Sequence, residues 1–116
     1  MSYETVDAAF VLDHLGTMPL LDVRPLEMYE ESRIPGAVSV RLMEAMGADG
    51  DTADVFAERV AEAGFAPDDE FIVYCYNGGL ANEACTLLES RGYTGQLCYE
   101  GSWVDWISDP SRPIEK

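Results

Sequence analysis

Phe71-Ile72-Val73-Tyr74-Cys75-Tyr76-Asn77-Gly78-Gly79-Leu80-Ala81 is the stretch that decides the fold. Phe71 to Tyr74 is a short, apolar, aromatic and β-branched run, the pattern of a buried strand. Cys75 then enters a loop with two glycines, and a helical pattern starts at about Ala81. A thiol at the end of a strand, facing a helix N-terminus, meets backbone N–H groups and the positive end of the helix dipole. That setting favours the thiolate, which is the nucleophilic form of cysteine. Cys75 is therefore the residue expected to carry the chemistry.

Outward from this stretch, strands and helices alternate. Downstream, a helix over Ala81 to Arg91 places Ala81, Ala84, Cys85 and Leu88 on one face, and Gly92 supplies its stop. Gln96 to Tyr99 reads as the last strand, Gly101 to Trp106 as a short closing helix, and Asp109 to Pro113 as an irregular tail. Upstream, Thr5 to Leu15 reads as a first helix, with Val6, Phe10 and Leu15 as its apolar stripe and Gly16 as its end. Leu20 to Arg24 is a strand ending on charge, and Glu27 to Glu31 is a helical turn. Pro35-Gly36 then turns the chain into a second short strand ending at Val40. Leu42 to Gly50 reads as a loop. A helix over Asp54 to Ala63 follows, capped by Asp51 or Thr52, with Val55, Phe56 and Val60 inward. This alternation predicts an α/β fold with a mostly parallel central sheet covered on both faces. In such sheets ligands bind outside the C-terminal ends of the strands, where Cys75 falls.

Composition narrows the class. The 116 residues suit one compact domain, 1–116, and 47% apolar content with two Trp and six Tyr excludes a disordered chain. No apolar stretch approaches the roughly 20 residues of a membrane span. Three cysteines, with no basic-then-apolar leader at Met1-Ser2-Tyr3-Glu4, predict reduced thiols and a cytoplasmic location. Twenty-two acidic residues face seven basic ones, a net charge of −15, which argues against nucleic acid and anionic membranes as partners. The acidic residues are spread along the chain. That pattern fits a solvated surface and, more specifically, halophilic adaptation to high intracellular salt. Cys75, Cys85 and Cys98 form no Cys-x-x-Cys and the one histidine is remote, so no metal site is expected. His14 reads as a surface residue near a helix C-terminus rather than as a base for Cys75.

Four segments in order, Leu20-Leu21-Asp22-Val23-Arg24, Ile34-Pro35-Gly36-Ala37-Val38, Ile72-Val73-Tyr74-Cys75-x-x-Gly78 and Gly101-x-Trp103-x-x-Trp106, resemble the rhodanese (sulfurtransferase) family. The ending from Tyr99 to Pro113 resembles the end of the catalytic C-terminal domain of two-domain thiosulfate and mercaptopyruvate sulfurtransferases. The resemblance implies a three-layer α/β/α rhodanese-like fold and a two-step reaction without metal or cofactor. Cys75 takes sulfane sulfur from a small anionic donor such as thiosulfate and holds it as a persulfide. Cyanide or a thiol acceptor then removes it. Tyr76, Asn77, Gly78, Gly79 and Leu80 form the loop expected to bind the substrate sulfur through inward-pointing amides, and Arg24 is the family-matched arginine. A structural ion pair with a nearby Glu is the preferred alternative for Arg24.

This chain departs from the family pattern in three places. Arg33 stands where many members carry His, the loop from Cys75 to Leu80 has no charged residue, and Leu80 replaces the usual Ser, Thr or Arg. A dianionic donor therefore depends on backbone amides and on an arginine from elsewhere. Phosphatases and arsenate reductases of this fold use a loop one residue longer that ends in an oxyanion-clamping arginine; Ala81 stands at that position here. The competing expectation is a non-catalytic rhodanese-like sulfur carrier or interaction module. Cys85 and Cys98 read as core residues, and Ser102, Trp103 and Trp106 as structural.

Overall fold

The computed structural model describes residues 3–116; Met1 and Ser2, the start of the stretch read for a leader, lie outside them. In chain order the elements are β1 (Glu4–Val6), α1 (Ala8–Asp13), β2 (Leu20–Asp22), α2 (Leu26–Glu31), β3 (Val38–Ser39), α3 (Leu42–Gly47), α4 (Thr52–Glu62), β4 (Phe71–Tyr74), α5 (Gly79–Glu89), β5 (Gln96–Tyr99) and α6 (Ser102–Trp106). The strands form one sheet in the order β1-β5-β4-β2-β3, and every pairing in it is parallel. β4 lies at the centre, in register with β2 through Ile72 opposite Leu20 and with β5 through Ile72 opposite Leu97.

Side-chain alternation along the strands divides the core in two. Leu21, Val23, Phe71, Val73 and Cys75 pack with Phe56, Val60, Ala84 and Leu88 on the α3–α4–α5 face. Leu20, Ile72 and Tyr74 point the other way, onto Val11, Ile34, Trp103 and Trp106 beneath α1 and α6. Burial on both faces is why Phe71 to Tyr74 is a continuous apolar run, and each fully buried side chain of this size contributes about 1.5–3 kcal/mol. Among the described residues, no helix is long and apolar enough to cross a membrane.

Two segments differ from the sequence expectation. Thr5 does not begin a helix: Glu4–Val6 is an edge strand beside β5, and Asp7 caps α1 by accepting from the Phe10 N–H at 2.9 Å. The pairing partner lies at Leu97 to Tyr99, beyond the reach of local periodicity. Leu42 to Gly47 is a helix rather than a loop. Its Met and Ala residues are good helix formers, and Leu42 and Ala45, three apart, bury the inner side. Elsewhere the expected elements are present with bounds shifted by up to about two residues; Asp51 caps α4 through the Asp54 N–H, and β5 spans Gln96 to Tyr99. α5 starts two residues earlier than expected.

Candidate active site

β4 delivers Cys75 to the C-terminal edge of the sheet with its side chain 1% exposed on the α5 face. Gly78 then adopts φ +99°, a left-handed conformation that leads into α5. A Cβ at this position would lie 2.2 Å from the Glu100 carbonyl oxygen, so only glycine lets the loop pass so close to the chain leaving β5. The Asn77 carboxamide braces the turn by accepting from the Gly79 N–H at 3.2 Å. Together these constraints aim two amides at the sulfur. Cys75 Sγ accepts from the Gly78 N–H at 3.1 Å and the Ala81 N–H at 3.2 Å. Gly78 is the N-cap of α5 and Ala81 lies in its first turn, so the helix dipole adds to the same field.

The turn between β5 and α6 closes the site from the other side. The Ser102 Oγ accepts the Cys75 N–H at 3.1 Å, donates to the Tyr99 carbonyl at 2.8 Å and stands 3.8 Å from Sγ. Ser102 has φ +59°, the one non-glycine residue with a left-handed backbone among those described. Such strain persists only where neighbours over-determine the conformation, and here Ser102 is fully buried between two strands. The Trp103 N–H donates to the Cys75 carbonyl at 3.0 Å and the Val104 N–H to the Tyr76 carbonyl at 2.9 Å, which ties α6 to the loop. On the outer side, Asn82 holds the Gly78 carbonyl at 3.0 Å and Glu100 Oε2 at 3.1 Å, while its own Oδ1 accepts from the Tyr3 hydroxyl at 2.9 Å.

Arg24 sits at the end of the neighbouring strand and is committed elsewhere. Its Nε and Nη2 grip Asp22, the shortest contact being 2.7 Å, and Nη2 also donates to the Ser32 carbonyl at 2.7 Å. The guanidinium lies 4.6 Å from the Trp103 ring centre and is 2% exposed. Tyr74 donates to the same Asp22 at 2.7 Å and accepts from the Ile34 N–H at 3.2 Å. Burial pulls the Arg24 guanidinium down, but the Asp22 hydrogen bond and charge outweigh it and the net displacement is upward. Burial first, then Asp22, push the Tyr74 phenol well above its ordinary value. The ion-pair alternative for Arg24 thus describes its geometry, with Asp22 rather than a Glu as partner.

The loop residues Tyr76, Asn77, Gly78, Gly79 and Leu80 all lie around the sulfur's side of the sheet, with different parts. Gly78 gives an amide to Sγ, Asn77 and Gly79 shape the turn, and Leu80 is half-buried against the α5-side core. Tyr76 is 47% exposed at the rim. Two contributors escaped the sequence reading. Ala81 supplies the second amide from one position beyond the expected loop, and Ser102, 27 residues away, arrives because β5 is the neighbour of β4. The Gly101-Ser102 pair before Trp103 was the available signal for the second. His14 ends α1, stacked on Phe10 at 4.0 Å with Nδ1 on the Phe10 carbonyl. Cys85 and Cys98 are fully buried free thiols; the hydrogen bond between them, then burial, pushes Cys85 upward.

A buried cysteine at the head of a central parallel strand, ringed by amides of the following loop, coincides with a match to the Rhodanese-like domain over residues 7–109. The chain belongs to the rhodanese family. Its relatives include the human thiosulfate:glutathione sulfurtransferase, 31% identical over 83% of this chain and 84% of that protein. The Azotobacter vinelandii thiosulfate sulfurtransferase is 29% identical over 96% of this chain but only 45% of its own length. This rhodanese chain also spans 43% of a matching Pseudomonas aeruginosa protein, less than half the length of such relatives. A solved human single-domain sulfurtransferase superimposes with a TM-score of 0.72 at 28% identity, covering 90% of this chain and 96% of the other.

Proposed function

We propose that this protein is a sulfurtransferase that moves sulfane sulfur through a persulfide on Cys75, with the domain 1–116 as its working unit. The observation that carries the reading is the convergence of the Gly78 and Ala81 amides on Cys75 Sγ. In the first step the Cys75 thiolate attacks the outer sulfur of a donor such as thiosulfate. A sulfur–sulfur bond forms to Cys75, the donor's sulfur–sulfur bond breaks, and sulfite leaves with the electron pair. In the second step cyanide or a thiolate attacks the outer sulfur, and the Cys75 thiolate is the leaving group. The reacting forms, the Cys75 thiolate and its persulfide, are both anions, and fixed N–H dipoles in a water-poor pocket stabilise an anion without moving during the reaction. Arg24 serves here as a strut beneath Trp103 rather than as a ligand of the donor.

The acidic composition supports the reading of a reaction that runs in a cytoplasm of high ionic strength. At molar salt the Debye length is about 3 Å, so the charge of −15 no longer repels a dianionic donor from the mouth. Thiocyanate formation from cyanide tests the reading, with thiosulfate and mercaptopyruvate supplied separately. Turnover with either donor, lost in Cys75→Ser, is the expected result. No turnover with any sulfane donor at low or molar salt contradicts it and leaves the non-catalytic interaction module.

A further inference from the structure

Asn82 closes the first turn of α5, and its bonds converge on the loop that carries Cys75. Its backbone N–H and its Nδ2 both donate to the Gly78 carbonyl, each at 3.0 Å. The second Nδ2 hydrogen goes to Glu100 Oε2 at 3.1 Å, and Oδ1 accepts the Tyr3 hydroxyl at 2.9 Å. With the amide turned over, Oδ1 would face the Gly78 carbonyl and the Glu100 carboxylate. Neither can donate to it, so the network fixes the orientation. Alanine is a better helix former than asparagine, so helix formation does not account for this residue.

These bonds reach the sulfur through one peptide plane. The peptide between Gly78 and Gly79 is gripped on both edges: Asn82 holds its carbonyl, and Asn77 Oδ1 accepts its N–H at 3.2 Å. Gly78 needs that restraint, because glycine at φ +99° has no Cβ to limit its rotation. With the following plane held, the Gly78 N–H stays 3.1 Å from Cys75 Sγ. Asn82 is in turn fixed from outside the loop. Tyr3, 79 positions away in the chain, stands just before β1 with its ring packed on the core. Glu100 directly follows β5. Two neighbouring strands of the sheet thus set where a loop amide points.

We propose that Asn82 is a positioning residue for Cys75: it holds the Gly78 N–H on the sulfur, and Tyr3 anchors it from the edge of the sheet. The role serves the sulfur-transfer reading and rests on it for its purpose. An amide already aimed at Sγ stabilises the thiolate before the donor arrives and the persulfide afterwards, with no rearrangement in between. Removing the Asn82 side chain leaves the Gly78 carbonyl its helix bond, and the exposed Glu100 carboxylate turns to water. The fold therefore loses little, while the cradle loses its aim.

The test follows iodoacetamide labelling of Cys75 by mass across a range of pH in the wild type, Asn82→Leu and Tyr3→Phe. Labelling consumes the thiolate and needs no sulfur donor. Near neutral pH, Asn82→Leu is expected to label about tenfold more slowly than the wild type, because one hydrogen bond to the charged form is misaligned. The deficit closes at alkaline pH, where the thiol ionises without help. Tyr3→Phe keeps the ring packing and loses only the anchor, with an expected slowing of about threefold. Equal labelling of Asn82→Leu and wild type overturns the proposal. So does slowing by one factor at every pH, the mark of a merely structural role. If Asn82→Leu does not fold, Tyr3→Phe decides, and unchanged labelling in it overturns the anchor and the proposal together. Sulfur loading from thiosulfate, measured on the same proteins, separates the two readings. A wild type that labels but does not load contradicts sulfur transfer, whereas loading with no labelling deficit in the variants contradicts the role of Asn82.

Discussion

At the end of β4, Cys75 Sγ is met by two backbone amides and no charged side chain, whereas at the end of β2, the adjacent strand, Arg24 is held by Asp22, Ser32 and the Trp103 ring. Both regions are buried at the same edge of one sheet. In the first, polarity is turned toward the Cys75 sulfur; in the second, every charge is matched inside the protein. The difference shows how this fold separates chemistry from support. Charged groups hold the wall in place, and in the proposed function neutral dipoles hold the transferred sulfur. A cradle of buried amides also has the advantage of being little screened by salt, unlike an exposed lysine or arginine.

Breaking the supporting region should have the largest effect on stability. Arg24→Met leaves Asp22 buried without its counter-charge, and urea unfolding is expected to show a loss of about 3–5 kcal/mol. If the two regions are distinct in role, sulfur loading per folded molecule changes far less than stability does. Breaking the cradle should do the reverse. Gly78→Ala forces a Cβ against the Glu100 carbonyl, and loss of amide alignment is expected to slow sulfur loading about 10²–10³-fold. Near-normal loading in that variant would show that the amides are dispensable.

Ser102 links the two regions, standing between Cys75 and Trp103. Ser102→Ala strands the Cys75 N–H and removes a donor from the Tyr99 carbonyl, with an expected cost of about 1–3 kcal/mol in denaturant unfolding. The smallest effect is expected far from both, where Glu115 clasps the turn at Arg33 to Gly36. The Gly36 N–H first, and Arg33 next, hold the Glu115 carboxyl below its ordinary value. Its contribution is present above the usual carboxylate range and is lost as pH falls through the lowered value. Melting temperatures of the wild type and Glu115→Gln should therefore differ slightly at neutral pH and converge in acid.

Much of this arrangement is legible in the sequence because its signals are local. Phe71 to Tyr74, the two glycines and the apolar face of α5 lie within one continuous stretch and report strand, loop and helix directly. An ion pair for Arg24 is among the expectations, but its partner is Asp22 rather than a Glu, although the two lie two apart and alternate strand residues share a face. What escaped depends on chain pairing. β1 exists because Glu4 to Val6 lies against β5, and Ser102 reaches Cys75 because β5 borders β4. Ala81 shows a different limit: a helix's first free amides are set by where it starts, and α5 starts at Gly79.

Intact-mass measurement after incubation with thiosulfate reads directly whether transferred sulfur rests on Cys75 within the amide cradle. The expected result is a gain of one sulfur atom that maps to the Cys75 peptide, is removed by cyanide, and is absent in Cys75→Ser. Sulfur retained in Cys75→Ser, or found on Cys85 or Cys98 instead, would contradict it.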